Sequence, residues 1–224
     1  MKRDMTLVYN PSRAATGYSP ASTFKIFNSL IALEKALIKD VDTDPIPWDG
    51  KVFAVNGKAF LPAVCNGPVV LRVAFSNPCV PAYQEIARRV GTERYRQYLA
   101  AARYGNQKLS GPVDWFWLTG DLRISAYQEI EFLRQLVRQT LPFSDTTYEQ
   151  VKDIMVVERT PTHTLRAKTG YAYAAQPAIG WWVGWVERGP ETYLFAMNID
   201  LLRPEHGKAR MVITKAALHK LGIL

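Results

Sequence analysis

The last third of the chain limits the fold more than any other stretch. Ile179 to Glu187 and Thr192 to Asp200 are dense in aromatic and β-branched residues, and Arg188-Gly189-Pro190 between them has the chemistry of a turn. Thr164-Leu165-Arg166-Ala167-Lys168 is a similar run upstream. Runs that follow one another through turns predict consecutive antiparallel strands. Gly207 to Leu221 then reads as an amphipathic closing helix.

Upstream the pattern is helical. From Thr23 to Lys39, Phe24, Phe27, Leu30, Ile31 and Leu37 recur at helical spacing, which predicts a buried helix. Pro81 to Ala102 reads as helix with a break at Gly91. Ser125 to Thr140 is a further helix, begun by a serine cap and carrying Glu129 and Glu131 in its early turns, and Thr147 to Val157 is another. Between Asp40 and Pro68, Pro45, Pro47, Asp49-Gly50, Asn56-Gly57 and Asn66-Gly67-Pro68 mark loop and short hairpins. A helix-rich middle followed by a sheet predicts an α+β fold and not an alternating βαβ chain. At 224 residues the chain is read as a single domain, 1–224.

Composition closes off several functions. No run of 18 apolar residues spans a membrane, and after Met1-Lys2-Arg3-Asp4 only Met5 to Val8 are apolar enough to resemble a leader, so no signal peptide is read. The net charge is +8, but the Lys and Arg residues are scattered and Arg88-Arg89 is the densest pair, which disfavours nucleic acid and suits small anions. Cys65 and Cys79 are too few and too far apart for a zinc ribbon or a redox pair, and their disulfide state is left open. His163, His206 and His219 lack metal-ligand spacing, so no metal is expected.

Chemistry is concentrated in Ser22-Thr23-Phe24-Lys25. Residues three apart share a helix face, so the lysine nitrogen reaches back toward the serine oxygen, and first-turn N–H groups favour a developing oxyanion. Alone this pair is weak, since an N-cap serine with a solvated lysine is the ordinary reading. A second cluster, Lys168-Thr169-Gly170, ends a predicted strand, where a cation, a hydroxyl and an open backbone can fix a carboxylate. The order Ser-x-x-Lys then Lys-Thr-Gly is that of β-lactamases and penicillin-binding proteins.

With Tyr104-Gly105-Asn106, Phe116-Trp117-Leu118 and Trp181-Trp182-Val183-Gly184-Trp185, the set resembles the class D, oxacillinase-type serine β-lactamases. Tyr18-Ser19-Pro20-Ala21, Trp48-Asp49-Gly50-Lys51 and Leu122-Arg123-Ile124-Ser125 match as well, so the resemblance runs from about Val8 onward. It implies a β-lactamase/transpeptidase-like fold, an antiparallel sheet packed against helices, with a helical subdomain at approximately 40–160. It implies hydrolysis of β-lactams, penicillins first, through an acyl-enzyme on Ser22, with Lys25 carboxylated by CO2 as general base and no other cofactor. Capture of CO2 needs the free amine, which an apolar pocket favours. Phe24, Val80, Trp117 and Leu118 would form that pocket, with the Trp117 N–H bonding the carbamate. Ser22 and Tyr171 N–H groups would form the oxyanion hole. Lys168, Thr169, Gly170 and Arg210 would bind the substrate carboxylate. A periplasmic or secreted setting is implied, the partner being a small molecule and neither membrane nor nucleic acid; a homodimer is left open. Trp181-Trp182 is read as core.

Two departures from the family stand out. Aligning on Val80-Pro81 puts Pro78, which lacks a hydroxyl, where the family's proton-relay serine belongs, with Ser76 as the alternative. The strand or strands that precede the position of Val8 are largely missing, leaving Met5 to Tyr9 as the only candidate strand and a sheet edge at risk of exposure. Two other functions therefore stay open: a sensor-type domain that acylates but scarcely deacylates, and an inactive truncated relative.

Overall fold

Four antiparallel strands carry the architecture of the computed structural model, which describes residues 5–55, 58–59 and 62–224. The expected Asn56-Gly57 turn lies outside the described residues, as do Met1 to Asp4. The strands β5 (Val156–Arg159), β6 (Thr164–Ala172), β7 (Ile179–Arg188) and β8 (Glu191–Asp200) pair in chain order, and the short strands β1 (Pro45–Ile46), β2 (Ala54–Val55), β3 (Lys58–Ala59) and β4 (Val69–Val70) form two separate pairs, β1 with β4 and β2 with β3. A tight turn at Gly189, with φ 55°, sets Arg188 opposite Glu191 and so fixes the register of β7 on β8. Residues of β7 from Ile179 to Val186 are all buried, because apolar side chains on both faces of the strand meet packed layers. Trp181, Val183 and Trp185 enter the main core on one face, and Trp182 and Val186 meet Leu165, Phe195 and Leu218 on the other. Trp181 and Trp182 are thus core residues, as expected.

The helices are α1 (Pro11–Ala15), α2 (Lys25–Glu34), α3 (Leu71–Ser76), α4 (Val80–Val90), α5 (Thr92–Ala102), α6 (Ala126–Arg138), α7 (Asp145–Ile154) and α8 (His206–Lys220). Gly91 separates α4 from α5, and Ser125 caps α6 in a reciprocal box with Gln128. The predicted Thr23–Lys39 helix is shorter than expected at both ends. Ala21–Phe24 forms a 3-10 turn, and Ala36 turns left-handed at φ 49° so that the Ala36 and Leu37 N–H groups close back on Leu33 and Ala32. The predicted Thr147–Val157 helix stops at Ile154, since Val156 pairs with Arg166 and the β-branched Val156-Val157 pair joins β5.

Two expectations are corrected. Helix α8 is not amphipathic: Met211, Val212 and Ile213 are consecutive and so spread around the helix, leaving Val212 and Ile213 exposed while Thr214 and Leu218 are buried. Met5 to Tyr9 do not form a strand; they are exposed, and the chain instead enters α1 through an Asn10 cap. Among the described residues no strand pairs with the outer edge of β8. Arg13 of α1 covers the end of that edge, its Nη2 donating to Asp200 at 2.7 Å and its Nε to the Asn198 side chain at 2.6 Å.

Cys65 and Cys79 are joined in a disulfide, both buried. It ties the Ala63–Cys65 turn to the residue before α4. Closing a loop of this length restrains the unfolded chain by about 3 kcal/mol, so the Cys65→Ala/Cys79→Ala protein is expected to melt well below the parent in calorimetry. A second outcome concerns Gly184, whose backbone faces Ala167 across the β6–β7 pair. A β-carbon there would sit 2.0 Å from the Arg166 carbonyl oxygen. Gly184→Ala is expected to destabilise the fold by roughly 1–3 kcal/mol, measured by urea unfolding, because the strands must separate to admit the methyl group.

Candidate active site

The 3-10 turn places Ser22 at the surface end of a buried ladder. Ser22 is partly exposed, whereas Thr23, Phe24 and Lys25 are buried. The Lys25 N–H bonds the Ser22 carbonyl, so the two residues lie one turn apart where the 3-10 turn runs into α2. The turn is fixed from behind by the backbone of Trp117: the Ala21 N–H donates to the Trp117 carbonyl at 3.0 Å and the Ser19 hydroxyl to the same oxygen at 2.9 Å. Phe24 stacks on the Trp117 ring at 5.7 Å and touches Phe116 and Tyr104 edge-on. Val80 and Leu118 join this apolar cluster.

Lys25 is buried, and its Nζ donates to the carbonyls of Ala74 and Asn77 at 2.8 Å each, with the Tyr83 ring 4.5 Å away. Burial, and then the nearby charge of Lys168, hold its pKa well below the usual lysine range. A neutral amine has two N–H donors, which the two carbonyls satisfy. Its lone pair is then free.

Strand β6 brings the second cluster to the same turn. It packs so closely that a β-carbon on Gly170 would lie 3.0 Å from the Pro20 carbonyl and 3.1 Å from Thr23 Cγ2. Lys168 is buried, its Nζ 3.0 Å from the Thr169 carbonyl and 3.3 Å from the Thr169 hydroxyl. Desolvation by burial, and secondarily Arg210, push the Lys168 pKa down to about 7. Arg210 reaches in from α8 through the space above Gly180, and its Nη1 donates to the Gly170 carbonyl at 2.7 Å. Its Nε is buried with no acceptor among the described residues. Among the described residues neither Lys168 nor Arg210 has a carboxylate within 4.0 Å; the two cations therefore form a preorganised site for an anion. Tyr171, next along β6, is about half exposed at the mouth.

The sequence matches the penicillin binding protein transpeptidase domain model over residues 3–219. It is 40% identical over 218 residues to the β-lactamase OXA-5 of Pseudomonas aeruginosa, covering 96% of this chain and 79% of that protein. It is 41% identical to OXA-48 of Klebsiella pneumoniae, covering 96% and 78%. Among solved structures, the class D β-lactamase YbXI from Nostoc superposes with a TM-score of 0.89 at 42% identity, over 96% of this chain and 88% of that one. The chain belongs to the class D serine β-lactamases.

In this class D protein, the residues anticipated from the motifs converge, with Ser22, Lys25, Trp117, Lys168, Gly170 and Arg210 all meeting at the junction of the turn, α2 and β6. Ser76, the alternative to Pro78 for the relay hydroxyl, points away from Lys25. Its hydroxyl is exposed and donates to the Arg72 carbonyl of its own helix at 2.9 Å, in a surface depression shared with Arg72, Asp153 and Arg159. Residue 77 instead turns its carbonyl toward Lys25, and Pro78 contributes no side-chain donor. Sequence reasoning also missed Glu129, fully buried on α6 with its Oε1 2.7 Å from the Thr23 hydroxyl. The available signal was phase: Glu129 falls on the same face as Ala126, Phe132 and Leu133, the apolar one, and is not a dipole-facing surface acid.

Removing a cation from the pair should relax the other. Arg210→Ala is expected to move the Lys168 pKa upward from about 7 toward the free-lysine range, by removing repulsion and admitting water. NMR titration of 13C-labelled lysine side chains reads this directly; an unchanged or lower value would contradict the electrostatic reading.

Proposed function

We propose that this protein hydrolyses β-lactams through an ester on Ser22, with Lys25 as the base. The observation that supports it most is the state of Lys25: buried, depressed in pKa, and held by two carbonyls one turn beyond a surface serine. The Ser22 hydroxyl proton passes to the base on Lys25 while Oγ attacks the lactam carbonyl carbon. The developing oxyanion is held by the Ser22 and Tyr171 N–H groups. The C–N bond then breaks, the ring nitrogen takes up a proton, and water, deprotonated by the same base, releases the penicilloate-type product. Lys168 and Arg210 bind the substrate carboxylate, with Thr169 lending its hydroxyl and Gly170 leaving room for the ligand to approach the backbone.

Lys25 fits carboxylation by CO2, because burial favours the uncharged amine that CO2 requires. Carboxylation supplies an anionic oxygen as base, with the Trp117 N–H as its donor. A buried disulfide between Cys65 and Cys79 supports an oxidising, periplasmic or secreted setting.

A second reading rests on Pro78. Where the family's serine hydroxyl would hand a proton to the leaving nitrogen, Pro78 has none, and the Lys168 ammonium is the acid this reading assigns to the step. Because Lys168 titrates near 7, it serves as acid in only part of the molecules at neutral pH. That loss slows ring opening, the acylation step; a sensor-type binder requires in addition that the base on Lys25 fail to deprotonate the water that releases the ester.

Intact-mass spectrometry after seconds and after an hour with benzylpenicillin, with and without added bicarbonate, tests both readings. A one-equivalent adduct at Ser22 that forms quickly, disappears, and turns over faster with bicarbonate supports the lactamase. An adduct that persists for the hour selects the binder. No adduct on the parent protein, or one that survives Ser22→Ala, overturns the acylation mechanism.

A further inference from the structure

Beneath the nucleophile turn lies a carboxyl group that the mechanism above does not use. Glu129 on α6 is completely buried, and its Oε2 has no hydrogen-bond partner among the described residues. Its Oε1 meets Thr23, the residue after Ser22. The hydroxyl of Tyr104, buried in the same region, makes no hydrogen bond of normal geometry among the described residues but lies close enough to Thr23 and Glu129 for both to act on its titration. A solvent-inaccessible carboxyl set against the turn that presents the serine needs a physical account.

The account follows from counting protons. Thr23 Oγ1 lies 2.9 Å from the Pro20 carbonyl oxygen and 2.7 Å from Glu129 Oε1. A hydroxyl has one hydrogen, and a carbonyl oxygen can only accept. Both short contacts are therefore hydrogen bonds only when Thr23 donates to Pro20 and Glu129 donates to Thr23. That arrangement, with a full hydrogen bond at each contact, has the carboxyl carrying the proton. An ionised Glu129 would take the Thr23 proton for itself, strip the side-chain donor from the Pro20 carbonyl, and leave a charge in an apolar core beside the Tyr104 phenol.

We propose that Glu129 is a positioning residue that, as the neutral acid, completes the chain Glu129–Thr23–Pro20 and locks the turn bearing Ser22, and that its ionisation loosens this turn. The proposal rests on the reading of Ser22 as nucleophile only for its effect on rate.

Charged and titratable groups on the neighbouring elements do not compensate the carboxylate. Arg13 of α1 pairs with Asp200 of β8 at 2.7 Å, and Arg134 with Glu131 on α6 itself at 2.6 Å. Glu187 of β7 pairs with Arg166 at 3.1 Å, Arg188 of β7 bonds the Gly222 carbonyl, and Tyr193 of β8 bonds Glu191. Arg138 stands at the far end of α6. Lys25 on α2 is held by two carbonyls, and Tyr104 offers only a neutral phenol. Consistent with this, burial pushes the Glu129 carboxyl up to about 7, against the lowering by the Thr23 bond.

The sign of the linkage is fixed. A carboxyl whose folded pKa is raised above its ordinary 4.5 costs stability as pH climbs from that value to about 7, and no more beyond it. Glu129→Gln mimics the neutral acid, with an amide donor in place of the acid proton. The melting temperature of Glu129→Gln relative to the parent is therefore expected to rise between pH 5 and 7 and to level off above 7. The ratio of kcat/KM for a penicillin, variant over parent, is expected to grow about five- to tenfold between pH 6 and 8, with Lys25 and Lys168 titrating alike in both proteins. Parallel melting curves and a flat ratio overturn the proposal. A pH-dependent melting difference with a flat rate ratio leaves the protonated carboxyl intact but refutes its role in positioning Ser22, and a protein with no Ser22 adduct at any pH refutes the acylation mechanism instead. Should Glu129→Gln fail to fold, NMR titration of 13C-labelled glutamate in the parent decides: a buried carboxyl titrating near 7 supports the proposal, and none above 5 overturns it.

Discussion

The approach of β6 to the Ala21–Phe24 turn is the contact on which the site depends. Two segments far apart in sequence meet with no side chain between them, because position 170 is a glycine and any β-carbon there would press on Pro20 and Thr23. That contact sets Lys168 within electrostatic range of Lys25 and aligns the Gly170 carbonyl for Arg210. It also explains why the core beneath is built from rings: Phe24, Tyr104, Phe116 and Trp117 form a stiff platform that holds the turn at fixed height against the strand. Flexible aliphatic side chains would give the serine more freedom than a strand edge at van der Waals distance allows.

Much of this was legible in the sequence, and the reason differs by element. Strands β6 to β8 announced themselves because each carries β-branched and aromatic residues between strong turn signals, and Trp181 and Trp182, alternating across β7, fill the two cores that sandwich it. The capped start of α6 was equally visible in Ser125. Helix ends were not: Ala36 adopts a left-handed conformation that its side chain does not advertise, and Val156-Val157 belongs to a strand because of a partner at Arg166 that local sequence cannot reveal.

The site residues were legible as motifs and not as physics. Ser22, Lys25, Lys168 and Arg210 could be named from their spacing within a family pattern, but the burial and the neighbouring Lys168 that depress the Lys25 pKa, and the two carbonyls of residues 74 and 77 that hold its nitrogen, come from elsewhere in the chain. Backbone acceptors leave no trace in composition. The same limit explains Ser76, which looked like a substitute hydroxyl by proximity in sequence. The end of α3 turns it to solvent and gives its hydrogen bond to Arg72. Proximity along a chain is a poor guide across a helix terminus, where successive side chains point in different directions.

The charges of the site obey one rule. Lys25, Lys168 and Arg210 are each desolvated, and no carboxylate offsets the pair formed by Lys168 and Arg210 among the described residues. Glu129, the buried acid nearest in sequence contact to the turn, is bound to Thr23 and spends its hydrogen bonding there. A carboxylate on Glu129 directed at the lysines would have neutralised them and raised their pKa values, making Lys25 a weaker base and filling the anion site from within. Because the acid is bound to Thr23 behind the turn and is not directed at the lysines, positive potential at the mouth is left for a ligand to complete. Burial thus works on both kinds of group in this region: it favours the uncharged form of Lys25 and Lys168 and the uncharged, hydrogen-bond-donating form of Glu129.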